Sequence, residues 1–360
     1  MSQDNPVLLL ANVPARTISV DLGDRTSRTC ELDAAGRCVH EGTVATTEAA
    51  MRRYFAARPR CRVVFETCTH SPWLARLVAG LGHEVVVANP SAMFTRGARR
   101  RRNDVLDARF LARQGRADVA LLHPITPRSV DAQHALAQLR ARDQLVKVRT
   151  QLINHVRGAV KAVGQRLSAS SAESFARRAQ RELPAALEPA LRPLLDVIAD
   201  LTQRIRAADH ALAHLIAARY PVAQRLQQPA GVGPLTALAY VLLIDDPGRF
   251  RRSRDAGAYF GLVPRLDESS TATPQLRISK AGDGLGRRLL VSAAQYILGP
   301  FGPACDLRRH GQAIAQRGGK NAKKRAVVAV ARKLAVLLHH LWVTGVAYDP
   351  DYLLHRGRLA

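Results

Sequence analysis

Four acidic residues have the types and spacing of a metal site. Asp21 and Glu66 each end an apolar run of strand type, and Asp104 and Asp107 lie three residues apart on one face of a helical pattern. Converging carboxylates repel one another unless cations lie between them, and hard oxygen ligands favour Mg²⁺ or Mn²⁺. We therefore predict a catalytic Mg²⁺ (or Mn²⁺) site that polarises a phosphodiester. The alternative is a set of unrelated surface carboxylates.

A basic run directly precedes the third acid. Residues 96–102 read RGARRRR, which includes Arg99, Arg100, Arg101 and Arg102. Positive charge beside a metal site suits a phosphate backbone, and we predict nucleic-acid contacts here. The alternative is a solvated loop.

The C-terminal third offers further candidate phosphate ligands. Gly231 and Gly233 form a turn between two helical patterns that resembles a helix–hairpin–helix, whose amides and helix N-terminus can hold a phosphate. A simple tight turn is the alternative. The other candidate nucleic-acid-binding residues are basic: Arg277, Lys280, Arg287, Arg288, Lys320, Lys323 and Lys324.

Residues 261–290 contain two candidate nucleophiles. Ser269 and Ser270 lie in a polar stretch with arginines and a lysine on both sides in the sequence. A serine hydroxyl beside cations can attack a phosphodiester when the developing charge is neutralised. Loop serines are more often structural, and residue chemistry alone does not choose between these two.

The pattern of residues 15–122 predicts an α/β unit that would position the acids. The predicted order is three strands, helix, strand, helix, strand, helix, which is the order of a ribonuclease H-like fold. The strands are predicted at 17–21, 29–32, 38–40, 62–66 and 84–88, and the helices at 46–57, 72–81 and 104–114.

Residues 126–218 predict a helical coiled-coil region and residues 225–346 a mostly helical C-terminal domain that closes with a basic helix over 320–342. A heptad series runs through the second half of the middle region. It indicates either an antiparallel helical hairpin or a coiled coil between protomers, and the alternative is two helices packed inside one globular domain. Its members are Leu187, Leu191, Leu194, Ile198, Leu201, Ile205, Ala208, Leu212 and Leu215.

The charge balance favours nucleic acid as the partner. The 360 residues contain 54 Lys and Arg against 29 Asp and Glu, a net charge of +25. Such an excess causes self-repulsion unless a polyanion neutralises it. The five cysteines have neither zinc-finger nor C-x₂-C spacing, which predicts buried free thiols without zinc or disulfides. We found no secretory signal and no apolar run of membrane-spanning length, so we expect a cytoplasmic protein.

Together these residues resemble the DEDD transposases of insertion sequence 110 type, which are related to the Piv and MooV invertases. The four acids occur in the family's order, and the third and fourth lie in RRNDVLDARFLAR, where Arg102 replaces the usual Lys. In the C-terminal domain the matching blocks are PAGVGPLTALAYVLLIDDPGRF, GLVPR, RISKAGDGLGRRLLVSAA and KRAVVAVARKLA. Counting from Pro264 to Lys280 without a gap assigns the family's serine to Ser269, with Ser270 where the family has glycine.

The resemblance implies a RuvC-like N-terminal domain and a serine transposase domain that share a composite active site. It implies excision and insertion of an element by serine-linked strand exchange, a guide RNA encoded in the element, and a homo-oligomer, dimer or tetramer, acting on DNA. The alternatives are a metal-dependent RuvC-like junction endonuclease that uses water, for which Ser269 is dispensable, and a nucleic-acid-binding module without catalysis.

Overall fold

The computed structural model describes residues 14–90, 103–265 and 276–357. The chain divides into two compact units, Met1–Arg128 and Ser129–Ala360, each of which is described by itself. The basic run at 96–102 and the serines Ser269 and Ser270 lie outside the described residues.

The first unit is built on a mixed five-stranded sheet. Its strand order is β3-β2-β1-β4-β5. The first three strands pair antiparallel, and β1–β4 and β4–β5 pair parallel. The strands are β1 (Arg16–Asp21), β2 (Thr26–Asp33), β3 (Cys38–Ala45), β4 (Arg62–Glu66) and β5 (Glu84–Ala88).

Three helices cover the two faces of this sheet. Helices α1 (Glu48–Ala56) and α2 (Ser71–Gly80) enclose one core with β1 and β4, in which Ile18 and Phe65 are fully buried. Helix α3 (Asp104–Ala117) covers the other face through Leu111. Because both faces are covered, β4 is a continuous apolar run instead of an alternating one.

Two hydrogen bonds and one close approach fix α3 on the sheet. The Ser19 hydroxyl on β1 donates to the Ala108 carbonyl at 2.6 Å, and the Arg62 guanidinium on β4 donates to the Gly115 carbonyl at 2.9 Å. Any Cβ at Gly115 would clash with the Val64 side chain. The first turn of α3 is therefore held at a defined place relative to the ends of β1 and β4.

The second unit begins with a helical hairpin. Helices α4 (Val130–Ala162) and α6 (Glu188–Arg219) lie antiparallel, with the short α5 (Phe175–Glu182) against them. Arg142 of α4 pairs with Asp209 of α6 at 2.8 Å, and Arg149 reaches Thr202 at 3.2 Å. The heptad series of α6 thus packs against a helix of the same chain, as in the predicted antiparallel hairpin, and its C-terminal members join the core of the second unit.

Among the described residues, seven further α-helices belong to this unit. The N-terminal part of α4 and the C-terminal part of α6 belong to the main hydrophobic core of this unit. Helix α8 is buried in that core from Thr236 to Ile244. The helices are α7 (Pro221–Arg225), α8 (Pro234–Ile244), α9 (Asp255–Tyr259), α10 (Gly284–Leu298), α11 (Asp306–Gln316), α12 (Ala322–Thr344) and α13 (Tyr352–Gly357). A mixed α/β N-terminal part and a helical C-terminal part were predicted and are confirmed.

Within the described ranges, one helix has the length and apolar composition needed to cross a membrane. It is α12, which the sequence patterns had predicted as a basic helix over 320–342 and not as an apolar one. One face of α12 packs in the core through Val330, Leu334 and Leu338, and the opposite face carries Arg332 and Lys333. That division is typical of a core helix at a protein surface.

The cysteines differ from the prediction of buried thiols in two cases. Cys30, Cys61 and Cys305 are buried, whereas Cys38 and Cys68 are exposed. Both exposed thiols lie at a strand boundary, Cys38 at the start of β3 and Cys68 just after β4, where a single sequence carries no burial pattern to read.

The packing of the hairpin can be tested by shortening the side chains of two adjacent residues on α6. Ile198 is fully buried between α4, α5 and α6, whereas its neighbour Val197 is 46% exposed. Ile198→Ala leaves a cavity, and we expect it to lower the free energy of unfolding by about 2–5 kcal/mol. Val197→Ala should change it by less than about 0.5 kcal/mol. Chemical denaturation followed by circular dichroism measures both, and equal effects would show that α6 is not packed as described.

Candidate functional site

Parallel pairing of β1 with β4 brings two of the predicted acids to one edge of the sheet. Val20 of β1 is in register with Phe65 of β4, and the next residue on each strand is Asp21 or Glu66. Both acids are the last residues of their strands and are partly buried. The carboxyl ends of parallel strands meet at the same edge, so the two side chains share it.

The other two acids lie in the first turn of α3. The Asn103 side chain caps this helix by accepting a hydrogen bond from the Val105 amide at 2.9 Å. Asp104 is thereby the first helical residue, and Asp107 follows one turn later. Unpaired amides and the helix dipole favour negative charge at this end, which offsets part of the cost of placing two carboxylates there.

The four acids interact electrostatically. Burial, followed in order of size by the negative charges of Asp104, Asp107 and Glu66, raises the pKa of Asp21 to about 6. A carboxyl group that resists ionisation in this way lies in a field that a bound cation would relieve. All four predicted acids are thus close enough to act as one unit.

The donor set fits a hard divalent cation. Four carboxylates offer only oxygen ligands, the type that Mg²⁺ and Mn²⁺ take. Among the described residues, the group of three ligand atoms that lies within 4.8 Å is Cys30, Cys38 and Glu41, so the acidic quartet is more widely spaced than a closed cage. Its open spacing leaves room for water and a phosphate oxygen beside a cation.

In the second unit, the residues that flank the serine segment form a short antiparallel stem. Pro264 and Ile278 make a β-bridge, the Arg265 amide donates to the Arg277 carbonyl at 3.0 Å, and the Ser279 amide donates to the Val263 carbonyl at 2.8 Å. The stem fixes where the chain leaves and re-enters the fold on either side of residues 266–275.

Two glycines allow the backbones at the base of this stem to cross. Gly261 and Gly282 both have positive φ, 64° and 74°. A Cβ at Gly261 would meet the Ala281 backbone, and one at Gly282 would meet the Tyr259 carbonyl. Only glycine fits such a crossing, which explains the GL and AGDG segments of the sequence.

One side of the stem lines a groove of about 1740 Å³, which we call the α12 groove. Its walls are the stem, α11 and residues 346–352, and its floor is the exposed face of α12. Among the described residues that line it, seven are Lys or Arg and two are Asp. The seven are Arg277, Lys280, Arg317, Lys324, Arg325, Arg332 and Lys333.

Sequence reasoning found three residues of this groove, Arg277, Lys280 and Lys324, and missed the other four. The signal was present in α12 for two of them, since Arg325, Val328 and Arg332 follow one another at helical spacings of three and four and so share one face. Lys320 and Lys323 are exposed and are not part of the groove lining.

Other predicted phosphate ligands have partners inside the protein. Arg287 donates to the carbonyls of Phe260 and Ala281 at 3.2 and 3.0 Å, which ties α10 to the base of the stem. Arg288 pairs with Asp143 of α4 at 2.6 Å. In the described structure these two arginines brace the stem and the hairpin.

The glycine turn before α8 also has a packing role. Gly231 has a φ of 79°, and a Cβ there would lie 2.7 Å from the Ala293 carbonyl oxygen of α10. Gly233 precedes the first helical residue, Pro234, and a Cβ there would meet nothing within 4 Å. Close helix packing accounts for Gly231, and Gly233 leaves the N-terminus of α8 accessible from that side.

The acidic edge predicts a pH-dependent effect of divalent cations on stability. Because the folded-state pKa of Asp21 is raised to about 6, its contribution to stability is present below the unfolded pKa near 3.8 and is lost as the pH rises through 6. A cation bound beside the ionised Asp21 carboxylate should restore the stability that is lost when this group ionises. We expect Mg²⁺ or Mn²⁺ to raise the Tm at pH 7.5 and to have little effect at pH 4.5, as measured by scanning fluorimetry.

Substitution of the acid separates this effect from general salt binding. Asp21→Asn should raise the Tm at pH 7.5 without cations and abolish the cation-dependent increase. Asp24→Asn, at a side chain that is 95% exposed, is the matched control and should behave as the unaltered protein. A cation effect that survives Asp21→Asn would argue against the quartet as the binding site.

Comparison with protein families identifies the chain. Residues 18–164 match a family model described as "Transposase", of the DEDD IS110 type, and residues 223–304 match one described as "Transposase IS116/IS110/IS902 family". The first match spans the strands and helix that carry all four acids, and the second spans the stem and the serine segment.

Curated relatives agree over most of the chain. The transposase for insertion sequence element IS1111A of Coxiella burnetii is 29% identical over 90% of this chain and 88% of its own length. A probable family 20 transposase of Pseudomonas aeruginosa is 30% identical over 84% and 90%. The transposase for insertion sequence element IS1328 of Yersinia enterocolitica is 30% identical over 69% and 74%. The chain therefore belongs to the IS116/IS110/IS902 family of transposases, enzymes that cleave and rejoin the DNA of insertion sequence elements.

Proposed function

We propose that this transposase cuts and rejoins DNA with a divalent cation held by Asp21, Glu66, Asp104 and Asp107 and with Ser269 as the nucleophile. The observation that carries the proposal is the proximity of the two acids at the strand ends to the two in the first turn of α3, where burial and the charges of the other three acids raise the pKa of Asp21 to about 6. Unrelated surface carboxylates would not influence one another in this way.

A RuvC-like fold for the first unit is part of this proposal. Its support is the element order, three antiparallel strands followed by alternating helices and parallel strands, and the sheet order β3-β2-β1-β4-β5. The acids end the two central strands and begin the last helix of the unit, as expected of a nuclease centre built on such a sheet.

The acids hold the cation, and the cation, Mg²⁺ or Mn²⁺, supplies Lewis-acid polarisation of the phosphodiester. Asp21 is ionised for this role at neutral pH because its pKa of about 6 lies below 7. Ser19 and Arg62 act indirectly, because their bonds to α3 hold Asp104 and Asp107 beside the strand ends.

Ser269 makes the covalent link in this scheme. Its Oγ attacks the phosphorus of the scissile phosphate, an O–P bond to serine forms, and one bridging P–O bond breaks. The hydroxyl proton passes to a base or water, and the leaving oxygen takes up a proton. The reverse attack by a DNA hydroxyl restores the phosphodiester, so rejoining needs no ATP. Arg277 and Lys280, at the foot of the serine segment, neutralise negative charge on the phosphate.

We further propose that the α12 groove holds a nucleic-acid backbone beside the serine segment. Its excess of cations matches a polyanion, and its stem wall leads directly into residues 266–275. The net charge of +25 also supports a second nucleic acid, an element-encoded guide RNA, besides the DNA ends and target. Because several strands are exchanged, we expect a homo-oligomer, dimer or tetramer.

The serine assignment is tested by trapping the covalent intermediate. Ser269→Ala should abolish strand cleavage of DNA that carries the element ends but leave nucleic-acid binding within about twofold, because one neutral hydroxyl contributes little to binding. Mass spectrometry of the protein–DNA adduct from the unaltered enzyme should locate a phosphoserine link at residue 269.

Ser270→Ala is the matched control, one residue away, and should retain the adduct and most of the cleavage. An adduct at 270 would move the nucleophile by one residue. Normal cleavage by Ser269→Ala with no adduct would instead identify a metal-dependent junction endonuclease that uses water.

Paired lysine variants test the groove. Lys324 and Lys333 line it, whereas Lys320 and Lys323 do not, and each pair carries the same charge. Lys324→Ala with Lys333→Ala should weaken DNA binding several-fold and reduce the salt dependence of log K by about 2, as expected for two lost phosphate contacts. Lys320→Ala with Lys323→Ala should change both much less. Equal losses in titrations at several salt concentrations would contradict the groove as the binding surface.

A further inference from the structure

A pair of thiols on the first unit has no part in the transposase chemistry. Cys30 lies on β2, Cys38 is the first residue of β3, and their Sγ atoms are 3.8 Å apart. The register shifts beside them, since Glu31 pairs with His40 but Leu32 pairs with Cys38. This β-bulge brings the two thiols together across adjacent strands, on the face that Leu32 shares.

The two thiols differ in accessibility. Cys38 is exposed and lies on β3, an edge strand, whereas Cys30 is buried in a small cluster with Leu32 and with Ala108 of α3. Burial and the hydrogen bond with Cys38 raise the pKa of Cys30 to about 12. An external reagent therefore meets Cys38 first, because the thiolate is the reactive form and only Cys38 is accessible.

We propose that Cys30 and Cys38 are an oxidisable dithiol whose substrate is a low-molecular-weight disulfide such as oxidised glutathione. The Cys38 thiolate attacks one sulfur of that disulfide, its S–S bond breaks, and one thiol leaves. Cys30 gives its proton to water and attacks the Cys38 sulfur, which releases the second thiol. Two electrons pass from the cysteines to the disulfide, and the two cysteine protons end on the released thiols.

A metal site at the same residues is less well supported. Glu41 would be the third ligand, within 4.8 Å of both sulfurs. Both Glu41 oxygens, however, accept hydrogen bonds from Arg109, one of them at 2.6 Å. A guanidinium already occupies the carboxylate, so two thiols remain, too few for a zinc site with three or four protein ligands.

The pair lies against the helix that carries two of the four acids. Cys30 packs on Ala108 and Ala112, and the Arg109–Glu41 ion pair joins α3 to β3. A disulfide brings the sulfurs from 3.8 Å to about 2.05 Å, by rotation of the two side chains or by a shift of β3 toward β2. The bond therefore forms directly beside the helix that carries Asp104 and Asp107.

Peptide mapping of the full-length chain tests the proposal. The reduced protein is incubated with oxidised glutathione at pH 8, alkylated, and digested with trypsin without reductant. Cleavage at Arg28, Arg37 and Arg52 separates the two cysteines, so the disulfide should appear as peptide 29–37 linked to peptide 38–52. The linked species should disappear after treatment with dithiothreitol.

Three cysteine controls sharpen the experiment. The exposed Cys68 should carry only a glutathione adduct, which reports that the reagent was active. Cys30→Ser should accumulate the same adduct on Cys38, and Cys38→Ser should leave Cys30 as a thiol that is alkylated only after unfolding.

Two results would overturn the proposal. One is a Cys38 that stays a glutathione adduct or a free thiol in the unaltered protein after Cys68 is fully modified. The other is protection of Cys38 from alkylation by one equivalent of Zn²⁺, which would identify a metal site. We expect Zn²⁺ to leave the alkylation of Cys38 unchanged.

Discussion

The repulsion among four carboxylates, two at a sheet edge and two in the first turn of α3, is the constraint on the acidic end of the first unit. Like charges at close range separate unless rigid elements hold them, and burial together with the charges of Asp104, Asp107 and Glu66 raises the pKa of Asp21 to about 6. The holding groups are uncharged at the edge itself: the parallel pairing of β1 with β4, the Asn103 cap and the Ser19 bond to α3. The cation site that we propose therefore rests on supporting groups that carry no charge of their own.

In the second unit, the stem is held in place by contacts that leave the α12 groove beside it open. Gly261 and Gly282 let two backbones cross where no side chain fits, and Arg287 ties their neighbours to α10 through two carbonyls. The anchoring therefore uses backbone atoms, so Arg277 and Lys280 remain available to line the α12 groove. The same few residues can therefore do both: their backbone atoms hold the stem in place, and their side chains give the groove its positive charge.

Much of this could be predicted from the sequence, and the failures have physical causes. β4 and β5 were placed correctly because buried parallel strands are continuous apolar runs. β3 was predicted far too short, since nearly all of its residues are exposed and no alternation marks them. The packing role of Gly231 was missed, because sequence does not show that a Cβ at this position would lie 2.7 Å from the Ala293 carbonyl oxygen of α10. Arg149 gave no signal either, although it is buried and bonded to Thr202 and Glu173.

Several arginines bond to carbonyl groups inside the protein, so the net charge says little about where a nucleic acid binds. Arg308 donates to the carbonyls of Ile297, Gly299 and Gly302 at 2.7–2.9 Å and so caps the end of α10. Arg62 serves α3 in the same way. A guanidinium with five donors suits these internal roles, whereas a lysine does not. The 54 Lys and Arg residues are therefore only an upper limit on the cations that can contact phosphate, and the position of those on α12 carries more information than their number.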